Sequence, residues 1–389
     1  MKKILLKYYS RKNFGDDMFV ILFADYFNDC RINLIANPLY IPKSVKKMKN
    51  VKIHPYSYVN VLLNKLIFLV SKIKISLRFI DFLNRCFTNF LNHSYYYISK
   101  NHDASVEIGG SIFMDKKNDK EIIFRTKEKA DFSLNSNLQD YGNFFIIGAN
   151  LGPVYSQDYW NNIKEKFKTY NHICLRDWSS YTMVSDLPNV QYAPDVLFLI
   201  TKSTVCCKRE SVVISVIDIS VHTSKIEIVN AYNELLIDTI VYFNNKNIPV
   251  TLVSFCKREG DENAITDLLN KIENTTMIST CFYKDNIDEI LDLFANATYV
   301  IGSRFHSIII GILFEKPVFP IVYNCKTENY LADLQFNGKS ARLNELSNLT
   351  VEDLIYNYDN NIIDNCSEHK KYAKNQFWGL SKYLNDYKN

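Results

Sequence analysis

The pattern that most restricts this chain's fold is a repeat of short apolar run, polar or glycine-rich turn, and helix-spaced segment. Residues 4–8, 103–108, 144–147 and 172–175 read as buried strands in the first half, and 211–216, 250–255, 299–301 and 317–323 in the second. Helical spacing is found over 18–26, 226–243, 261–272 and 287–295. Strands alternating with helices of that length predict parallel sheets joined by right-handed crossovers. At 389 residues the chain exceeds what one core usually serves, so the expected class is α/β, two Rossmann-like domains facing a cleft. The first is expected over 1–200, with a basic helical insertion at 59–99, and the second over 211–366 beyond a polar linker at 202–210. Residues 367–389, with Trp378, read as a terminal helix packing back across the domains.

Open α/β sheets hold ligands beyond the carboxyl ends of their strands. Ile301-Gly302-Ser303-Arg304-Phe305-His306-Ser307 stands at such an end and runs into an apolar helix. Ser303 is the expected N-cap, its hydroxyl accepting from the first open N–H groups of the helix. Arg304 is a cation where the helix dipole is positive, an arrangement that an anionic ligand would offset. His306, one turn in, sits where the dipole disfavours the imidazolium. A neutral His beside an anion-binding Arg can act as general base or proton shuttle, or it can simply pack.

Lys326, after the next strand, and Arg176, ending a first-half strand, are either surface charges or further cations for the same anion, with Arg176 reaching across the cleft. Asp195 follows Pro194 and can orient a base or accept from a sugar hydroxyl. Asn13, Gly15 and Asp16 form a turn between strand and helix, where glycine admits a close ligand and the Asn and Asp side chains suit hydroxyls.

Composition narrows the function classes. A formal charge of +4 suits anionic substrates and falls far short of a nucleic-acid-binding chain. The nine Cys form no CxxC pair, which predicts reduced thiols in a cytosolic protein. No HExxH, His/Cys cluster, EF-hand loop, Walker A or GxGxxG is present, so no metal is expected and nucleotide hydrolysis and NAD chemistry lose their usual support. The first residues lack the apolar run and cleavage site of a secretion signal, and no run approaches the ~18 apolar residues of a membrane span. A cytoplasmic protein is expected. Between Val59 and Tyr97, Lys65, Lys72, Lys74, Arg78 and Arg85 face the single acid Asp81, with leucines and isoleucines at helical spacing. That stretch is either a helix pair covering the first sheet or a basic amphipathic surface resting on anionic lipid.

Taken in order, the strand-end motifs resemble the polysaccharide pyruvyltransferase family. They are Asn13-Phe14-Gly15-Asp16, Gly109-Gly110-Ser111, Gly148 with Gly152-Pro153, Arg176-Asp177 with Ser180, and Ala193-Pro194-Asp195. Ser303-Arg304-Phe305-His306-Ser307, Lys316-Pro317-Val318, Tyr323 and Lys326 complete the series. Lys12 stands where a glycine is usual, and the second glycine motif has two glycines rather than three. The resemblance implies a GT-B-like architecture and transfer of pyruvate from phosphoenolpyruvate to a sugar of a bacterial surface-polysaccharide precursor. The product would be a cyclic ketal, released with phosphate and without a cofactor.

On that reading His306 and Asp195 are catalytic, while Arg304, Ser303, Ser307, Lys326 and Arg176 bind the donor in a site carried mainly by the second domain. Asn13, Gly15, Asp16, Gly110, Ser111 and Asn150 line the acceptor side. The partners implied are phosphoenolpyruvate and a sugar acceptor, which can be a lipid-linked oligosaccharide if the basic helices rest on the inner membrane face. No nucleic acid is among them. The alternatives are a nucleotide-sugar glycosyltransferase of the same fold and a non-catalytic carbohydrate-binding protein of a capsule-assembly complex. Retaining glycosyltransferases usually flank the corresponding helix with an acidic pair, whereas here Arg304 and His306 occupy its start and Glu315 its end.

Overall fold

The computed structural model describes residues 1–72, 77–115, 143–201 and 209–386, so Lys74, Cys206-Cys207 and most of the expected linker lie outside the described residues. The chain divides into two compact units. One comprises Met1–Ser10, Phe19–Ala193 and Asn375–Asn389, and the other Arg11–Met18 with Pro194–Lys374.

The first unit opens with β1 (Lys3–Tyr8), α1 (Phe14–Tyr26, of which Phe14–Met18 group with the second unit), β2 (Arg31–Ile35), α2 (Lys43–Lys47) and β3 (Val51–Ile53). It continues with α3 (Tyr56–Ser71), α4 (Leu77–Lys100), β4 (Ala104–Ile108) and β5 (Phe144–Ala149). Then come α5 (Gln157–Lys168), β6 (His172–Leu175), α6 (Trp178–Thr182) and β7 (Val190–Tyr192). Its strands run parallel in the order β3-β2-β1-β4-β5-β6-β7. Parallel strands covered on both faces read as unbroken apolar runs, and β5 (FFIIGA) is buried at every residue. One face packs on a core built from Leu5, Phe113, Phe144, Ile146 and Phe167. Helix α1 begins at Phe14 rather than near Met18, because the Asn13 carboxamide oxygen accepts from the Gly15 N–H at 3.0 Å. Gly15 and Asp16 therefore sit in a helical first turn, not in an open loop.

The second unit runs through β8 (Val212–Ser215), α7 (Ile226–Asn245), β9 (Val250–Ser254), α8 (Asp261–Leu269) and β10 (Ile278–Phe282). It continues with α9 (Ile287–Asn296), β11 (Tyr299–Gly302), α10 (Phe305–Leu313), β12 (Val318–Val322) and α11 (Cys325–Leu334). It closes with β13 (Ala341–Arg342), α12 (Val351–Asp359) and α13 (Ser367–Tyr372). The strand order β10-β9-β8-β11-β12-β13, all parallel, repeats the doubly wound order of the first sheet. Helix α10 is apolar nearly all round and buried from Ser307 to Leu313, as its sequence requires.

The single terminal helix expected near the end is broken in three. After α13 comes a 3-10 turn over Ala373–Phe377, then α14 (Trp378–Asp386), which groups with the first unit. Gln376 ties this segment to the first sheet. Its Nε2 donates to the carbonyls of Ala193 (2.5 Å) and Leu175 (3.4 Å), and its Oε1 accepts from the Gly148 N–H at 2.9 Å.

Candidate functional site

The strand order of the second sheet reverses between β8 and β11, and ligands of open α/β sheets gather at such a point. The turn leaving β11 is fixed there by serines. Ser215 Oγ accepts from the N–H groups of Ser303 (3.2 Å) and Arg304 (3.0 Å). Ser307 Oγ donates to the Arg304 carbonyl at 2.6 Å, so the 2.7 Å bond between Ser307 and Ser215 takes its proton from Ser215. Ser303 Oγ bonds the Tyr232 hydroxyl at 2.9 Å. Ser303 and Ser307 are fully buried and close the turn instead of facing a donor. The N-cap position is Arg304, not Ser303.

Arg304 also departs from expectation. It is 5% exposed. Its Nε donates to Asp261 Oδ2 at 3.0 Å, its Nη2 to Asp261 Oδ1 and its Nη1 to Glu259. Asp261 is itself buried and accepts from the N–H groups of Phe255 (3.1 Å) and Cys256 (2.9 Å). A buried guanidinium is tolerated because two carboxylates surround it. Burial opposes its charge, yet Glu259 and Asp261 hold its pKa well above the usual range. Burial alone would raise the Glu259 carboxyl, but the adjacent guanidinium outweighs it and holds that group at about 2. Arg304 is thus a neutralised anchor, not a cation free for an anion.

His306 is the next residue but one, half-buried in the first turn of α10 with its Nε2 atom covered. Its ring lies 5.2 Å from that of Phe305 and against the backbone of Gly15. A Cβ at position 15 would fall 1.8 Å from His306 Nδ1 and 2.4 Å from Cγ. Only glycine permits that approach. The Asn-Phe-Gly-Asp motif is held to this unit by the bond from Phe14 N–H to the Phe255 carbonyl (3.1 Å) and a bridge between Asn13 and Cys256. The Tyr283 hydroxyl adds a bond to buried Asp17 Oδ2 at 2.8 Å. Sequence reading put this motif on the first domain's acceptor side, but its contacts group it with His306.

Lys326 lies in the first turn of α11 with Nζ 5.6 Å from the centre of the Phe305 ring, and its charge helps to lower the Glu259 carboxyl. Asp195 is buried, and its Oδ1 accepts from the Leu197 N–H at 2.9 Å to cap a 3-10 turn over Val196–Leu199. That cap is a structural use of one of its two carboxylate oxygens.

The remaining motif residues converge in the first unit. Asn150 N–H donates to the Gly110 carbonyl at 2.8 Å, and Arg176 Nη2 donates to Asn150 Oδ1 at 3.0 Å. A Cβ on Gly110 would fall 2.0 Å from that Nη2. Arg176 is therefore turned into its own unit beneath the glycine turn, and Ser111 follows that turn, half-exposed. Ser180 Oγ accepts from the Leu151 N–H at 2.8 Å and braces the same turn.

Sequence reasoning missed Glu259, Asp261, Ser215 and Tyr232. The signal for the first two was available, since Glu259-Gly260-Asp261 occupies the turn after β9 as the other motifs occupy theirs.

Residues 13–324 match the family model described as polysaccharide pyruvyl transferase. No curated protein matches the chain. Among solved structures, UDP-GlcNAc 2-epimerase from Neisseria meningitidis bound to UDP-GlcNAc superposes with a TM-score of 0.56 at 10% identity, over 99% of this chain and 100% of that one. UDP-GlcNAc 2-epimerase from Methanocaldococcus jannaschii, in complex with UDP-GlcNAc and UDP, gives 0.54 at 9% identity, over 98% and 99%. A mutant of S. aureus TarM in complex with fondaparinux, alpha-GlcNAc-glycerol and UDP gives 0.53 at 11% identity, over 99% of both chains. At such identities the likeness speaks for the fold alone, which is the two-Rossmann-domain GT-B kind.

Proposed function

The chain belongs to the polysaccharide pyruvyl transferase family, whose model matches residues 13–324, and from that premise we propose its reaction. The pyruvyl group of phosphoenolpyruvate passes to two hydroxyls of a sugar in a surface-polysaccharide precursor, closing a cyclic ketal. The enol methylene takes a proton while the first hydroxyl adds to the neighbouring carbon and gives up its own proton. The second hydroxyl then displaces phosphate and gives up its proton. Both steps need a proton carrier beside a stabilised anion.

The observation that carries this reading is the His306 ring, seated on Gly15 at the reversal point of the second sheet. We assign His306 the proton transfers. Lys326 and the positive end of α10 supply attraction for the donor's phosphate and carboxylate. Arg304 positions the turn that carries His306. Asn13 and Asp16, flanking Gly15, are assigned to acceptor hydroxyls. No cofactor is invoked.

The test is thermal stabilisation by phosphoenolpyruvate against a panel of nucleotide sugars, followed by phosphate release with sugar acceptors. His306→Ala should lower phosphate release by roughly 10²–10⁴-fold while stabilisation by phosphoenolpyruvate survives. Stabilisation by a nucleotide sugar and none by phosphoenolpyruvate would transfer the chain to the glycosyltransferase reading.

A further inference from the structure

Helices α3 and α4 leave more apolar surface uncovered than a pair that only covers a sheet needs to. On α3, Tyr58, Leu62, Lys65, Leu66, Leu69 and Lys72 recur at helical spacing on one arc, and all are exposed. Asn60 is buried and Asn64 half-buried on the opposite side, where the Asn64 carboxamide donates to Asn60 Oδ1 at 2.7 Å. On α4, Phe79, Phe82, Phe90 and Tyr97 likewise share an exposed arc. Leu62, Phe68, Leu69, Phe82 and Phe90 are each 55–58% exposed. From Val61 to Ser94 no described side chain is fully buried.

Single exposed apolar residues need no explanation, but two helices that each keep an apolar arc outward, one of them with carboxamides on its inward side, do. Charge decides the occupant. Residues 56–100 carry Lys65, Lys72, Lys74, Arg78, Arg85 and Lys100 against Asp81 alone. Among the described side chains, Lys65, Lys72 and Arg85 are exposed, and Lys72 Nζ lies 4.5 Å from the Phe68 ring centre. A second copy would bring cations against cations. An anionic lipid surface offers acyl chains for the leucines and phenylalanines and phosphates for the cations. No helix among the described residues is long and apolar enough to cross a membrane, so the pair would lie on the surface.

We propose that α3 and α4 form a docking face for an anionic lipid bilayer, independent of the chemistry at His306. The full chain should co-sediment with phosphatidylcholine vesicles that contain phosphatidylglycerol, and far less with phosphatidylcholine alone. At about fivefold per cation removed from the surface, Lys65→Gln with Lys72→Gln should weaken binding roughly 25-fold. Leu62→Ser with Leu69→Ser should abolish what high salt leaves behind. These side chains are exposed, so both variants should keep the parent's circular dichroism and its turnover of a soluble acceptor. Absence of binding to phosphatidylglycerol vesicles, or binding indifferent to both variants, overturns the proposal. So does a change in sedimentation coefficient for the leucine variant with vesicle binding intact, which would make the face a contact between copies.

Discussion

Replacing Gly15 with alanine should silence the enzyme while leaving it folded. The new Cβ would stand 1.8 Å from His306 Nδ1, 2.0 Å from Cε1 and 2.4 Å from Cγ. Non-bonded carbon atoms settle at about 3.5–4 Å, so the ring must retreat by roughly 1.5–2 Å. Rotation about the ring bond cannot achieve this, because Cγ itself is too close. The imidazole must leave its rotamer or α10 must shift. A misplacement of about 1 Å at a reacting group costs about 10²-fold, so phosphate release should fall at least that far. Alanine is the better helix former by about 0.5–1 kcal/mol, and this partly offsets overpacking of about 1–3 kcal/mol. The melting temperature should therefore fall only modestly. The same substitution made in a His306→Ala background meets no ring, and its stability penalty should vanish. Parental phosphate release from Gly15→Ala would refute the reasoning. So would a penalty equal in both backgrounds, since the contact would then not be the cause.

Two further outcomes follow from buried charge. Arg304→Ala should destabilise the chain by about 3–5 kcal/mol, read as a lowered denaturation midpoint, because it strands Asp261 without its guanidinium. A variant that melts like the parent but loses affinity for phosphoenolpyruvate would restore Arg304 as a donor clamp. Stability should also fall in mild acid. His102 donates from Nδ1 to the Ile98 carbonyl (2.7 Å) and accepts at Nε2 from the Asn33 carboxamide (2.7 Å), an assignment made from the hydrogen-bond network. Burial lowers its pKa below the ordinary 6.5, and that of His54 and His172 as well. The unfolded chain therefore takes up protons first. The stabilisation is present above about pH 6.5 and is lost as pH falls below it. Melting temperature followed from about pH 8 down to 5 reads that slope, and His102→Gln should flatten it; an unchanged slope would remove His102 as its source.

The alternation of apolar runs and helical spacing carried the fold, since period and turn chemistry are local properties. What escaped was set by distance along the chain. Arg304 looked like an unbalanced cation because its partners, Glu259 and Asp261, belong to a turn more than forty residues earlier. Ser303 looked like a cap because nothing near it in sequence names Tyr232 or Ser215 as its neighbours. The grouping of Arg11–Met18 with the second unit was equally invisible, although the motif itself was found. On α3 the spacing of leucines is the same whether that arc faces core or solvent. Only the neighbours decide, and they leave it outside.

The bonds made by Gln376 bear on the order in which the protein can be completed as it is synthesised. The Ala193 carbonyl and the Gly148 N–H lie in the first unit, but their partner emerges roughly 180 residues after Ala193, behind nearly all of the second unit. At about 5–20 residues per second that is a wait of roughly 10–40 s. During it the first sheet must stand with those groups open to water or to a chaperone, while the second unit has time to fold. The second unit lacks only residues already made, Arg11–Met18 among them, so the later-synthesised unit is the first able to finish.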